Sequence, residues 1–227
     1  MKVKNNISRI ELVHGQGEPN AGIVWLHGLG ATADDFVPVV PHLGLDDQHV
    51  IKFVFPQAPD RPITINGGMR MPGWYDIKGL QIEDKQDAEG IKQSAELVAT
   101  LINEMIDDGI PSERIILAGF SQGGAIAYYQ GLRQPEKLAG LINLSTYLVF
   151  DWLVEDEGSA ANKTTPILIQ HGTYDAVVPL NLGQESAAKL KELGYPVTWN
   201  EYKMEHQVIM EQILDIGTWI NQQLSAS

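Results

Sequence analysis

The stretch Arg114-Ile115-Ile116-Leu117-Ala118-Gly119-Phe120-Ser121-Gln122-Gly123-Gly124-Ala125-Ile126-Ala127 decides how this chain is read. An apolar run too short for a helix stops at Gly119, and an Ala-rich, helix-favouring run begins just past Ser121. The serine therefore stands where a strand turns sharply into a helix. Both glycines of Gly119-x-Ser121-x-Gly123 have a steric reason to be there, because such a turn presses backbone against backbone and leaves no room for Cβ atoms beside the serine. The turn pushes the Ser121 Oγ out of the sheet and aims the first helical N–H groups, with their partial positive charge, at whatever lies beside it. Ser121 is thereby a candidate nucleophile.

Outward from this turn, further short apolar runs alternate with helical patterns, the signature of a mostly parallel sheet flanked by helices. Residues 7–12 alternate apolar and polar, as a half-buried strand near a sheet edge does, and residues 21–26 read as an inner strand. The inner strand runs into His27-Gly28-Leu29-Gly30, a glycine-rich turn that leaves backbone N–H groups free, or else merely turns the chain. Thr32 caps an expected helix that Pro41 ends, and residues 50–55 read as the next strand. Residues 56–79 hold eight prolines and glycines and read as a long ordered loop. Its large side chains Met69, Met71, Trp74 and Tyr75, with Leu80 just beyond, either line a binding site or cover the rim of the core. Residues 84–108 are amphipathic at helical spacing. Residues 138–144, 166–171 and 197–202 read as strands, residues 155–163 as a polar solvated loop, and residues 181–193 and 208–224 as helices.

Two partners for Ser121 follow in chain order. Asp175 lies in the loop after a late inner strand, where a carboxylate can reach a histidine or can simply shape a turn. His206 is the one histidine of six that follows both Ser121 and Asp175 at the end of a strand. His14, His42 and His49 read as surface residues, His27 as support for its turn and His171 for its strand end.

At 227 residues with 44% hydrophobic content, one α/β domain spanning residues 1–227 is expected. The formal charge of −13 argues against a nucleic-acid surface and against docking on anionic lipid by charge alone. Cysteine is absent, which excludes disulfides, thiolate chemistry and Cys-ligated zinc. No apolar leader core precedes the first strand and no run approaches a membrane span, so the expected location is cytoplasmic, without stable membrane insertion.

With these segments in hand, the chain resembles the phospholipase/carboxylesterase family of α/β hydrolases, the group that includes acyl-protein thioesterases. The matching residues are Leu26-His27-Gly28-Leu29-Gly30, Ile65-Asn66-Gly67-Gly68-Met69-Arg70-Met71, Gly73-Trp74-Tyr75-Asp76-Ile77, Gly119-Phe120-Ser121-Gln122-Gly123-Gly124-Ala125, His171-Gly172 with Asp175 and Val177-Val178-Pro179, and Tyr202-Lys203-Met204-Glu205-His206. The resemblance implies a single α/β hydrolase domain without a large cap. It implies Ser121 as nucleophile, His206 as base and Asp175 as its orienter, with the backbone N–H groups of Leu29 and Gln122 as oxyanion hole. It also implies activity on carboxylic esters, with no metal or organic cofactor.

The primary expectation is a serine carboxylesterase acting on small to medium acyl chains. The alternative is an acyl-protein thioesterase or lysophospholipase acting on long ones, and a non-catalytic hydrolase-fold binding module is the rival from another class. Met69, Met71, Trp74, Leu80, Tyr147 and Val177 are the expected lining of an acyl groove for a small-molecule or lipid ester. An exposed apolar loop could equally serve a homodimer. Glu205 and Thr146 depart from the family's pattern and are expected at the pocket wall.

Overall fold

The computed structural model describes residues 7–79 and 86–226. Its central sheet has seven strands in the order β1-β3-β2-β6-β7-β8-β9. These are β1 (Arg9–His14), β2 (Ala21–Leu26), β3 (Ile51–Pro56), β6 (Ile115–Phe120), β7 (Gly140–Leu144), β8 (Ile167–Gly172) and β9 (Val197–Tyr202). Only β1 runs antiparallel, pairing with β3 at the edge. β2 pairs in parallel with both β3 and β6, and β6, β7, β8 and β9 follow in parallel register.

Successive residues of these strands feed opposite faces, which is why the inner strands read as continuous apolar runs. Val24 and Leu26 join Leu117, Leu141 and Ile169 in one core layer, under α1 (Ala88–Asp107), α2 (Gln122–Arg133) and α4 (Leu180–Glu192). Ile23 and Trp25 join Phe53, Ile116 and Ile142 in the other, under α5 (Met210–Ser225) and a 3-10 turn over residues 37–42. The apolar stripe expected over residues 84–108 appears in α1, where Ile91, Val98, Leu101, Ile102 and Met105 are buried. Its first residues, together with Leu80, lie outside the described residues.

Four expectations change. The helix expected after Thr32 is instead a 3-10 turn over Val37–His42 containing Pro38 and Pro41, because two prolines remove the N–H donors that an α-helical turn needs. The ordered loop over residues 56–79 contains a two-stranded hairpin, β4 (Asp60–Ile63) paired with β5 (Met69–Pro72). Gly67 and Gly68 both take positive φ at its turn. Pro62 and Pro72 hid these strands, since proline is tolerated where a ladder has no further partner to bond. The polar stretch over residues 155–163 forms short helical turns, including α3 (Val154–Glu157). Asn162 within it is buried and bonds Leu138, Gln134 and Glu136 backbone groups. His49 is buried rather than superficial, at 5% exposure, against Arg114 and Ser225.

Among the described residues no helix is long and apolar enough to cross a membrane. Residue 217 in α5 is glycine because the carbonyl of Leu43 lies where a Cβ would stand. Gly217→Ala is expected to lower stability by about 1–3 kcal/mol, read as a shifted urea midpoint with an unchanged slope.

Candidate active site

The carboxyl ends of β2, β6, β8 and β9 face the same edge of the sheet, so the turns that follow them converge there, as a parallel sheet requires. At the end of β6, Ser121 has φ 53 and ψ −122, a conformation that L residues rarely hold. Ser121 N–H donates to Leu144 O at 2.9 Å, and Thr146 Oγ donates to Ser121 O at 2.6 Å. A Cβ on Gly119 would overlap the carbonyl of Gly123, and one on Gly123 would stand 2.5 Å from His27 O. The strained turn is thus held from three sides by groups that meet at backbone distance.

His206 reaches Ser121 from the turn after β9. Its Nε2 lies 3.0 Å from Ser121 Oγ, and its Nδ1 lies 2.7 Å from Asp175 Oδ2. The Asp175 carboxylate is fully buried, while the His206 ring is partly open. Asp175 Oδ1 accepts the N–H groups of Val177 and Val178 at 2.9 and 2.8 Å. Burial alone would push this carboxyl up, yet the hydrogen bonds from His206 and from the Val178 and Val177 amides outweigh it and hold the group below the ordinary aspartate value of 3.8. With Asp175 ionised, Nδ1 is the donor to it and Nε2 the acceptor from the serine hydroxyl. Such an arrangement can take a proton from the hydroxyl as its oxygen attacks an electrophile.

Facing Ser121 is the turn after β2. Ala58 N–H donates to His27 Nε2 at 3.1 Å, so Nε2 must be the unprotonated nitrogen and Nδ1–H donates to Gly28 O at 2.7 Å. His27 is therefore a neutral brace for the turn, and burial lowers its basicity. The N–H groups of Leu29 on that turn and of Gln122 at the first position of α2 have no acceptor among the described residues. The Gln122 side chain is fixed, its Oε1 accepting from Trp74 N–H at 2.8 Å and its Nε2 donating to Tyr75 O at 2.7 Å.

A groove of about 410 Å³ opens beside Ser121 and His206, lined among others by Leu29, Gln122, Phe120, Tyr147 and Val177. Three residues expected in its lining lie elsewhere. Trp74 is 0% exposed and turned into the core, where its indole N–H donates to His27 O. Met69 is 64% exposed on the hairpin, and Met71 packs over Gly30. Tyr75, for which the sequence left binding site and core rim open, does line the groove, as do Ile65, Ile77 and Leu182, which the sequence did not single out. Thr146 is buried behind Ser121 instead of standing in the pocket wall, and Glu205 is exposed and outside the groove lining. His171 is buried, with Nε2 2.8 Å from Val178 O, and so supports the loop that cradles Asp175.

The model of the phospholipase/carboxylesterase family matches residues 7–224. The chain is 39% identical over 213 residues to acyl-protein thioesterase 1 of Gibberella zeae, covering 90% of this chain and 91% of that protein. To acyl-protein thioesterase 1 of Emericella nidulans it is 37% identical over 220 residues, covering 91% of each. Among solved structures, acyl-protein thioesterase 2 of Zea mays has a TM-score of 0.84 at 29% identity, covering 95% of this chain and 99% of that one.

Because the folded-state value of Asp175 is lowered, the stability it contributes is complete above the unfolded value and is lost as pH falls through the folded one. Asp175→Asn is therefore expected to flatten the loss of stability between about pH 5 and pH 2, measured by urea unfolding at each pH.

Proposed function

The chain belongs to the phospholipase/carboxylesterase family and is a carboxylic ester hydrolase, and from that premise we propose that it cleaves thioesters or esters of medium to long acyl chains, as an acyl-protein thioesterase does. The observation that carries the reading is an apolar groove of about 410 Å³ opening directly on the Ser121–His206 pair, within the range of about 300–1,000 Å³ usual for ligand pockets. The relatives named as acyl-protein thioesterases, matched along nine-tenths of their length, favour it over the carboxylesterase for small to medium acyl chains that the sequence leads one to expect.

In this reading Ser121 is the nucleophile, His206 the general base and Asp175 its orienter. A serine hydroxyl is too weakly acidic to ionise near neutral pH, so His206 takes the proton as Oγ attacks the acyl carbonyl, and Asp175 stabilises the imidazolium. Negative charge moves to the carbonyl oxygen. The Leu29 and Gln122 N–H groups receive it there, each worth about 10²–10³ in rate. His206 then protonates the leaving thiol or alcohol, and the acyl group remains on Oγ. Water, deprotonated by the same imidazole, attacks that acyl group and releases the acid and the free serine.

Two measurements test this. Ser121→Ala is expected to reduce hydrolysis of p-nitrophenyl octanoate by at least about 10⁴-fold and to abolish fluorophosphonate labelling; unchanged turnover would remove the covalent mechanism. Each methylene buried in the groove contributes about 0.8 kcal/mol, roughly fourfold in kcat/KM. The acyl series is expected to rise beyond butyrate, whereas a peak at the shortest chains would return the reading to a small-ester carboxylesterase.

A further inference from the structure

Two phenols meet in the wall of an otherwise largely apolar groove. The Tyr75 and Tyr147 hydroxyl oxygens lie 3.0 Å apart, among groove residues that include Ile65, Ile77, Val178 and Leu182. Phenylalanine at both positions would fill much the same space without burying two hydroxyls, so the pair needs a reason beyond packing.

The direction of the hydrogen bond follows from which hydroxyl has an alternative. Tyr75 is 2% exposed, and its hydroxyl has no partner but Tyr147 among the described residues. Were Tyr147 the donor, the Tyr75 proton would be buried with no acceptor, which is the costly arrangement. Tyr75 is therefore the donor and Tyr147 the acceptor. Tyr147 is only partly buried, and its own proton, with no acceptor among the described residues, is left to point at the contents of the groove. Burial raises the value of both phenols, Tyr75 further because its neighbour favours the neutral donor, so both keep their protons across the working range of an esterase.

Resting on the hydrolase reading above, we propose that Tyr147, oriented by Tyr75, is a specificity-determining donor that recognises an oxygen carried on the acyl chain of the substrate, a hydroxyl or keto group some carbons away from the scissile carbonyl. A plain methylene at that depth leaves the Tyr147 proton desolvated and unpaired, whereas an oxygen there accepts it. The groove holds Asn66, Asp76, Lys78 and Gln86 as well as Ile65, Ile77, Val178 and Leu182, and the oxygen is assigned to the acyl chain as the part of the substrate that the apolar members would hold.

The test is a set of p-nitrophenyl octanoates, each with one hydroxyl at a successive carbon, compared with the plain octanoate. The wild-type enzyme is expected to show a position where the hydroxylated ester is preferred, relative to neighbouring positions, by about fivefold to tenfold. Tyr147→Phe is expected to erase that peak while melting at the wild-type temperature, and Tyr75→Phe to lower but not erase it, since Tyr147 still holds its proton but has lost the bond that orients it. No peak in the wild type, a peak that survives Tyr147→Phe, or one lost in Tyr75→Phe but kept in Tyr147→Phe would overturn the inference. So would a matching peak that appears only when hydroxyls are placed on the leaving group. Failure of the wild type to hydrolyse the plain octanoate would instead bring down the hydrolase reading and this inference with it.

Discussion

Helix α2 begins where it does because its first turn meets backbone instead of side chains. The absence of Cβ atoms at Gly119 and Gly123 lets the helix come against the carbonyls of Leu26 and His27, and that approach forces Ser121 to φ 53. The strain is small on the scale of a domain, of order 1–3 kcal/mol, but it needs bonds that exist only in the folded state. Leu144 O and the Thr146 hydroxyl supply them, one on each side of the serine. Ser121 Oγ then stands clear of the sheet edge, within hydrogen-bonding distance of a histidine 85 positions away.

The rest of the site repeats this division between a rigid support and an exposed group. Asp175 is immobilised by two backbone amides before it meets His206, and His171 fixes the carbonyl of Val178 in the same loop. On the facing turn, His27 links Gly28 to Ala58, and Trp74 locks onto the carbonyl of His27. Gln122 ties the start of α2 to the segment that carries Tyr75. Ser121, His206, Leu29 and Gln122 all border one groove, and these supports fix the segments that carry them within the folded chain.

Much of this was legible in order along the chain. The strand β9 over Val197–Tyr202 and the inner strand over Ala21–Leu26 fall where the apolar pattern ends in turn residues. Ser121, Asp175 and His206 stood out because each closes a strand at the same edge of a parallel sheet. The hairpin over Asp60–Pro72 was hidden because prolines and glycines mark loops in most settings. Its strands pair only with each other, where those residues are tolerated. The turn over Val37–His42 went the other way: an acceptable cap and apolar spacing promised an α-helix that two prolines do not permit.

The sequence by itself determined the layered α/β plan, the order of the strand-end residues and the steric need for glycine around Ser121, because hydrophobic period and turn chemistry are local properties written within a few residues. Only the tertiary structure decided that Trp74 is core and Tyr75 groove, that Thr146 braces the serine from behind, and that His49 is buried. Those outcomes depend on which face of an extended or turning segment meets a partner from a distant part of the chain, and adjacent aromatic residues carry no local mark that distinguishes the two faces. The hydrogen-bonded phenols of Tyr75 and Tyr147 are of the same kind, 72 positions apart and brought to 3.0 Å by the packing of the sheet's carboxyl edge.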